Sequence, residues 1–215
     1  MERDFFVFDL DGTLIDSSGD IAHAANRVLQ AFGREVMEKE EIKEKIGWGV
    51  NMLLGQLMPD LDETELLEAR SHFLAFYAEH LMDETRLYDG VRATLISLRQ
   101  RGRRMAILTN KPEGLSRRIV SSLGLEDLFL DIVGGDTFRE RKPDPAPLLR
   151  IMGEAGVVPG QTVLVGDSPI DCETGRRAGV FTVGVSYGFR PVEELREASC
   201  ERIIHQFRSL LELFP

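Results

Sequence analysis

Asp9 and Asp11 stand one residue apart, ahead of Gly12 and Thr13, at the end of the apolar run Phe5-Phe6-Val7-Phe8. A short apolar run bounded by a turn residue reads as a strand buried on both faces. An isolated carboxylate is costly to bury, so two at such a strand end call for a cation, hydrogen-bond donors or both. Gly12 allows a sharp turn that exposes backbone N–H groups. The alternative is structural, with the two aspartates capping the next helix. Two later apolar runs end in the same manner, 104–108 in Thr109-Asn110-Lys111 and 162–165 in Gly166-Asp167-Ser168. Between them lies Arg141-Lys142-Pro143-Asp144-Pro145. Asp9, Asp11 and Asp167 meeting in one crevice would repel one another unless a divalent cation sat among them. Hard oxygen ligands suit Mg2+, which keeps waters and accepts phosphate oxygens. The Gly12 and Thr13 N–H groups, the Thr109 hydroxyl, the Asn110 amide and Lys142 are candidate phosphate receptors. A cation, a lysine and hydroxyl donors around a carboxylate nucleophile match phosphoryl transfer to an aspartate.

These residues must be held by a framework, and the hydrophobic pattern supplies one. After Thr13 the spacing turns helical. Ser17 to Asp20 offers N-cap candidates, and Ile21, Ala24, Ala25, Val28, Leu29 and Phe32 recur at three and four before Gly33. Further helices are expected over 38–46, over 50–58 up to Pro59, and after Asp62, where Leu66, Ala69, Phe73, Phe76, Tyr77 and His80 form one stripe. No strand signal interrupts this block. From Asp89 onward helices and strands alternate: helices over 90–101, 113–123, 145–155, 170–178, 192–198 and 206–213, and strands over 104–108, 131–133, 162–165, 181–185 and 202–204. Alternation at this spacing predicts an α/β fold, a Rossmann-like parallel sheet with helices on both faces. An inserted all-helical cap over 16–82 would then interrupt a catalytic core formed by 1–15 and 83–215. Open parallel sheets bind ligands beyond the carboxyl ends of their strands, which is where the reactive residues fall.

Composition narrows the possibilities. The 215 residues carry 36 acidic and 26 basic side chains, a net charge of -10, which argues against bulk attraction to nucleic acid or an anionic membrane. Cys172 and Cys200 are far apart and form no CxxC, so neither a disulfide framework nor a structural zinc site is expected, and a reducing cytoplasm fits. No apolar leader opens the chain and no run of about 18 apolar residues occurs. His23, His72 and His80 have no spaced partner for metal binding. Gly47-Trp48-Gly49 is an aromatic break that could lean over the crevice, and Lys43 or Lys45 could meet an anionic group, although solvated lysines and a packed tryptophan explain them as well.

Asp9-Leu10-Asp11-Gly12-Thr13, Leu108-Thr109-Asn110, Lys142-Pro143 and Gly166-Asp167-Ser168-Pro169-Ile170-Asp171 resemble, in order, the four motifs of the haloacid dehalogenase-like hydrolase superfamily. A helical cap between the first two motifs is similar to the branch that includes phosphoglycolate phosphatase. The resemblance implies that Asp9 is the nucleophile, forming an aspartyl-phosphate, and that Asp11 protonates the leaving oxygen and later takes a proton from water. It implies Mg2+ held by Asp9, the Asp11 carbonyl and Asp167, with Asp171 acting on that set from behind. Thr109 and Asn110 would bind the transferring phosphoryl, and Lys142 would offset its charge. An acidic residue at Asp11 favours phosphate ester hydrolysis, since the family's dehalogenases and phosphonatases lack it. The expectation is a Mg2+-dependent phosphatase of a small phosphorylated metabolite, with 2-phosphoglycolate leading. Another small-metabolite phosphatase, for a sugar phosphate, nucleotide or pyrophosphate, or a sugar phosphomutase, stays open, as does the choice between monomer and homodimer.

Two unrelated readings compete. Gly184-Val185-Ser186-Tyr187-Gly188 matches the GxSxG nucleophile elbow, with Glu193, Glu194 and His205 following in triad order. An elbow needs a helix directly after its serine, and Gly188-Phe189-Arg190-Pro191 intervenes. A phospho-accepting signalling module would place its acceptor on a middle strand of the sequence and lacks a large helical insertion. No GxGxxG or GxxxxGK[ST] supports nucleotide binding by those routes.

Overall fold

The computed structural model describes residues 3–215. The chain begins β1 (Phe5–Phe8), β2 (Ile15–Asp16), α1 (Ser18–Ala31), α2 (Lys39–Lys43), α3 (Val50–Leu57), α4 (Glu63–Glu79) and β3 (Arg86–Leu87). It continues α5 (Val91–Gln100), β4 (Arg104–Leu108), α6 (Glu113–Ser122), β5 (Ile132–Val133), α7 (Ala146–Ala155) and β6 (Thr162–Gly166). The last elements are α8 (Pro169–Ala178), β7 (Phe181–Val185), α9 (Val192–Glu197), β8 (Arg202–Ile204) and α10 (Leu210–Leu213).

Six strands form one parallel sheet in the order β5-β4-β1-β6-β7-β8. All four residues of β1 are buried, as a central strand covered on both faces requires. Their side chains alternate between two cores. Phe6 and Phe8 pack with Leu95 and Leu98 of α5, Ile119 of α6, and Phe207, whereas Phe5 and Val7 pack with Leu148 and Ile151 of α7 and Ala178 of α8. The expected α/β sheet with helices on both faces is what the chain adopts. Register pairs Phe8 with both Ile107 and Val165, so Asp9, Thr109 and Asp167 are each the first residue beyond a strand's carboxyl end. The chain runs from β1 out to β4 and β5, then crosses back to β6 on the other side of β1. That reversal is where such sheets open a crevice.

Helices α1 to α4 leave the sheet after β1 and rejoin it before α5. Asp62 caps α4 by accepting from the Glu65 N–H at 2.9 Å, and Glu65 reciprocates on the Asp62 N–H. Of the stripe on α4, Ala69, Phe73 and Tyr77 are buried. Several expectations are corrected. The helix over 38–46 is only the five residues of α2, because its last turn unwinds toward Gly47. The C-terminal helix splits into a 3-10 turn, Phe207–Ser209, and α10. The insertion is bounded by a strand pair that was not foreseen: β2 and β3 form an antiparallel ribbon, Ile15 opposite Leu87 and Asp16 opposite Arg86. Asp20, fully buried, ties the same junction by accepting from the Glu84 and Thr85 N–H groups and the Thr85 hydroxyl. No disulfide framework was expected of the two cysteines, yet Cys172 and Cys200 are joined in a disulfide with Cα atoms 5.1 Å apart. Packing of α8 against β7 and α9 brings them together across 28 residues, which spacing alone does not reveal.

Candidate active site

The turn after β1 is tightly bonded. The Gly12 N–H donates to Ile15 O at 2.8 Å and the Thr13 N–H to Leu10 O at 3.3 Å. Both amides expected to receive phosphate are therefore engaged inside the turn, while the Asp11 N–H has no partner among the described residues. Gly12 is required there on two counts. Its φ is +79°, and a Cβ would collide with the Asp167 carboxylate.

Asp9 is buried, and its two oxygens differ. Oδ1 accepts from the Leu10 N–H at 2.7 Å and stands 2.9 Å from the Lys142 ammonium. Oδ2 has no partner among the described residues. Lys142 also reaches Asp171 Oδ1 at 2.7 Å, so one ammonium bridges two carboxylates. Asp171 additionally forms a capping box with Ser168 at the start of α8, and so it both caps a helix and orients Lys142. Asp167 accepts from the Phe189 N–H at 2.7 Å and the Thr13 hydroxyl at 3.4 Å.

Carboxylate oxygens of Asp9, Asp167 and Asp171 lie within 4.8 Å of one another, all three residues buried. Burial, opposed by Lys142, raises the Asp9 carboxyl to about 6. Burial followed by the Asp171 and Asp9 charges raises Asp167 to about 8. Burial pulls Lys142 down, but Asp171 and Asp9 together hold it above its ordinary value, so it stays cationic. Three buried carboxylates against one ammonium leave an excess of negative charge that a divalent cation would neutralise, and the all-oxygen donor set fits Mg2+. The open face that Gly12 leaves beside Asp167 would be filled by any other residue.

Asp11 does not join this cluster through its side chain. Its carboxylate accepts from the Ser17 hydroxyl at 2.6 Å and receives the Lys111 ammonium with both oxygens at 2.9 Å. Lys111 in turn donates to the Tyr77 hydroxyl of α4 at 2.6 Å. In the sequence Lys111 reads only as part of a strand end and Tyr77 only as part of a packed stripe. The polar tip at the end of that stripe was the available signal. Burial, countered by Lys111, raises the Tyr77 hydroxyl to about 12, so it remains a neutral phenol.

Thr109 and Asn110 line the same cavity of about 50 Å3, together with Asp9, Asp11, Lys111, Tyr77 and apolar residues of the insertion. The Thr109 hydroxyl oxygen accepts from the Lys111 N–H at 3.3 Å. The Asn110 amide nitrogen donates to Gly47 O and Lys142 O, both at 3.0 Å, and its buried Oδ1 has no partner. Asn110 thus fastens the 47–49 loop over the crevice. Arg190 does the same from the other side, donating to the Glu44 and Ile46 carbonyls. Gly47 and Gly49 line the cavity, whereas Trp48 is 37% exposed and is neither core nor crevice. Lys43 stacks on Phe189, 5.4 Å from the ring centroid.

The rival serine motif does not assemble. Ser186 Oγ lies 2.6 Å from His205 Nδ1, but the chain turns after Ser186 and the next helix begins only at Val192. Glu193 pairs with Arg196, and no carboxylate orients His205 among the described residues.

Residues 6–185 match the family described as haloacid dehalogenase-like hydrolase. The chain is 36% identical over 217 residues to a phosphoglycolate phosphatase of Colwellia psychrerythraea, covering 98% of this chain and 96% of that one. It is 39% identical to the phosphoglycolate phosphatase of Aquifex aeolicus over 183 residues, 85% of this chain and 84% of the relative. In three dimensions it is similar to a crystal structure of a predicted phosphoglycolate phosphatase from Haemophilus somnus, with a TM-score of 0.93, 30% identity, and coverage of 100% of this chain and 99% of that one. An aspartate-lined crevice at the reversal of a parallel sheet, a match over most of the length and relatives at this identity agree: the chain belongs to the haloacid dehalogenase-like hydrolases.

Proposed function

We propose that the protein is a Mg2+-dependent phosphatase of a small phosphate monoester, with 2-phosphoglycolate the leading substrate, acting through an aspartyl-phosphate on Asp9. The carrying observation is the carboxylate of Asp9, a cavity-lining residue: Oδ1 is pinned by Lys142 and Leu10, and Oδ2 has no partner among the described residues. The pinned oxygen fixes the orientation of the group, and the free oxygen attacks phosphorus as the ester oxygen leaves. Asp11 sits on the same turn; its carboxylate would take up a proton from solvent as substrate binds, give it to that leaving oxygen, and later take one from the water that opens the aspartyl-phosphate. Lys142 offsets negative charge on Asp9 and the phosphoryl group, with Asp171 holding it in place. Thr109 and the Asp11 N–H supply donors to phosphoryl oxygens, and Asn110 borders them. Asp9, Asp167 and the Asp11 carbonyl, with Asp171 adjoining, would hold Mg2+. When bound, that ion neutralises charge on the carboxylates and the phosphoryl oxygens.

In this reading residues 16–82 form a cap over a core of 1–15 and 83–215. The Gly47 loop closes the crevice through Asn110 and Arg190 during the first step, excluding water. The names of the relatives support 2-phosphoglycolate. The cavity supports a short leaving group, because Ile21, Ile46, Val50, Leu53 and Phe73 would leave the hydroxyls of a sugar unpaired. The test is released phosphate from a panel of phosphorylated metabolites, with Mg2+ and with chelator. Mg2+-dependent release that is fastest from 2-phosphoglycolate is expected. Release that persists in chelator, or isomerisation of a sugar phosphate without release, would contradict the proposal.

A further inference from the structure

The cavity over Asp9 has one ammonium in its lining, that of Lys111, and Lys111 has no role in the phosphoryl chemistry described above. It lies on the leaving-group side, since it touches Asp11 and Tyr77 and not Asp9 or the acidic cluster. Apart from Tyr77, the side chains that the insertion contributes to this cavity are apolar: Ile21, Ile46, Val50, Leu53 and Phe73. A buried ammonium there needs an anion, and in this structure Asp11 fills that need in a bidentate contact with both oxygens at 2.9 Å. The contact shows that the site accepts a carboxylate. Tyr77 adds a second donor: its oxygen accepts from Lys111, so its own O–H remains to be donated. One element of each half supplies the pair, Lys111 following β4 and Tyr77 on α4.

We propose that Lys111 and Tyr77 are the receptor for a carboxylate on the leaving group, and that this carboxylate takes over Lys111 from Asp11. The inference rests on the phosphatase reading and adds what that reading lacks, the residues that select an anionic leaving group. The exchange has a mechanical consequence. Asp11 keeps its hydrogen bond to Ser17 but is released by Lys111, and so it is free to turn toward the bridging ester oxygen. A neutral leaving group would leave Asp11 held on the ammonium. Selection therefore acts on the rate as well as on affinity.

The test compares ligands that differ only in the carboxylate. Calorimetry with Mg2+ present would compare 3-phosphonopropionate with propylphosphonate, neither of which can be hydrolysed. Turnover would compare 2-phosphoglycolate with ethyl phosphate. The wild-type protein is expected to bind the carboxylate ligand at least about tenfold more tightly, the scale of one charged hydrogen bond. Lys111→Met should abolish that preference and also lower the ratio of kcat/KM for 2-phosphoglycolate over ethyl phosphate by about tenfold or more. Tyr77→Phe, which keeps the ring's packing, should reduce the binding preference severalfold, and it decides the matter should Lys111→Met fail to fold. No preference in the wild type, or a preference untouched in folded Lys111→Met or in Tyr77→Phe, would overturn the proposal. Failure of the phosphatase reading looks different: neither ester would release phosphate, while the Lys111-dependent binding preference would persist.

Discussion

In the absence of a divalent cation, raising the pH should weaken the folded protein, and the Asp167 carboxyl sets most of the effect. Burial and its acidic neighbours lift Asp167 from an ordinary 3.8 to about 8, and burial lifts Asp9 to about 6. Both pKa values are higher in the folded state than in the unfolded chain. The folded state therefore holds protons that the unfolded chain has lost, and unfolding free energy falls as the pH climbs from about 4 to about 8. From about pH 5 to about pH 8 Asp167 alone contributes a loss of about 4 kcal/mol, at 1.36 kcal/mol per unit. For a chain of this length that is a fall in Tm of about 8–16 °C. The assay is thermal unfolding across this pH range in chelator, repeated for Asp167→Asn, which has no carboxyl to ionise. The variant should lack most of the fall. Mg2+ at about 100 times its Kd should restore about 2.7 kcal/mol to the wild type at the alkaline end, and much less at the acidic end where the carboxyls hold protons. Parallel pH curves for wild type and variant, or an equal Mg2+ effect at both ends and in both proteins, would refute the reasoning.

Two further substitutions probe the same cluster. Lys142→Met removes a side chain that is 1% exposed and bonded to two buried carboxylates, so it should cost about 3–5 kcal/mol of stability and lower turnover by about 100-fold or more, read by thermal melts and by phosphate release. Gly12→Ala places a Cβ against the Asp167 carboxylate at a φ of +79°, and should cost about 1–3 kcal/mol while reducing the rise in Tm that Mg2+ produces.

The sheet was legible because its central strands are almost wholly buried and read as short, mainly apolar runs: Phe5–Phe8, Arg104–Leu108, Thr162–Gly166 and Phe181–Val185. The residue after each of the first three is polar, which pointed to Asp9, Thr109 and Asp167 before any distance was known. The ribbon of Ile15–Asp16 and Arg86–Leu87 was not legible, since two residues carry no periodicity. The disulfide was hidden for a related reason. Spacing says nothing of two cysteines that meet only when α8 packs beside α9. The Gly12 and Thr13 amides were expected to receive phosphate, and the sequence did not show that both also bond within their own turn, to Ile15 O and Leu10 O. Lys111 and Tyr77 went unrecognised since their encounter depends on the insertion folding back over β4, a long-range contact that neither local pattern encodes.

The nucleophile is the centre of the account, and trapping tests it most directly. Protein mixed with substrate labelled in the phosphoryl group, quenched in acid during turnover and mapped by peptide, should carry the label on the peptide holding Asp9, and folded Asp9→Asn should carry none and release no phosphate. Label mapping to any other residue, or Asp9→Asn that keeps most of its Mg2+-dependent phosphate release, would contradict it.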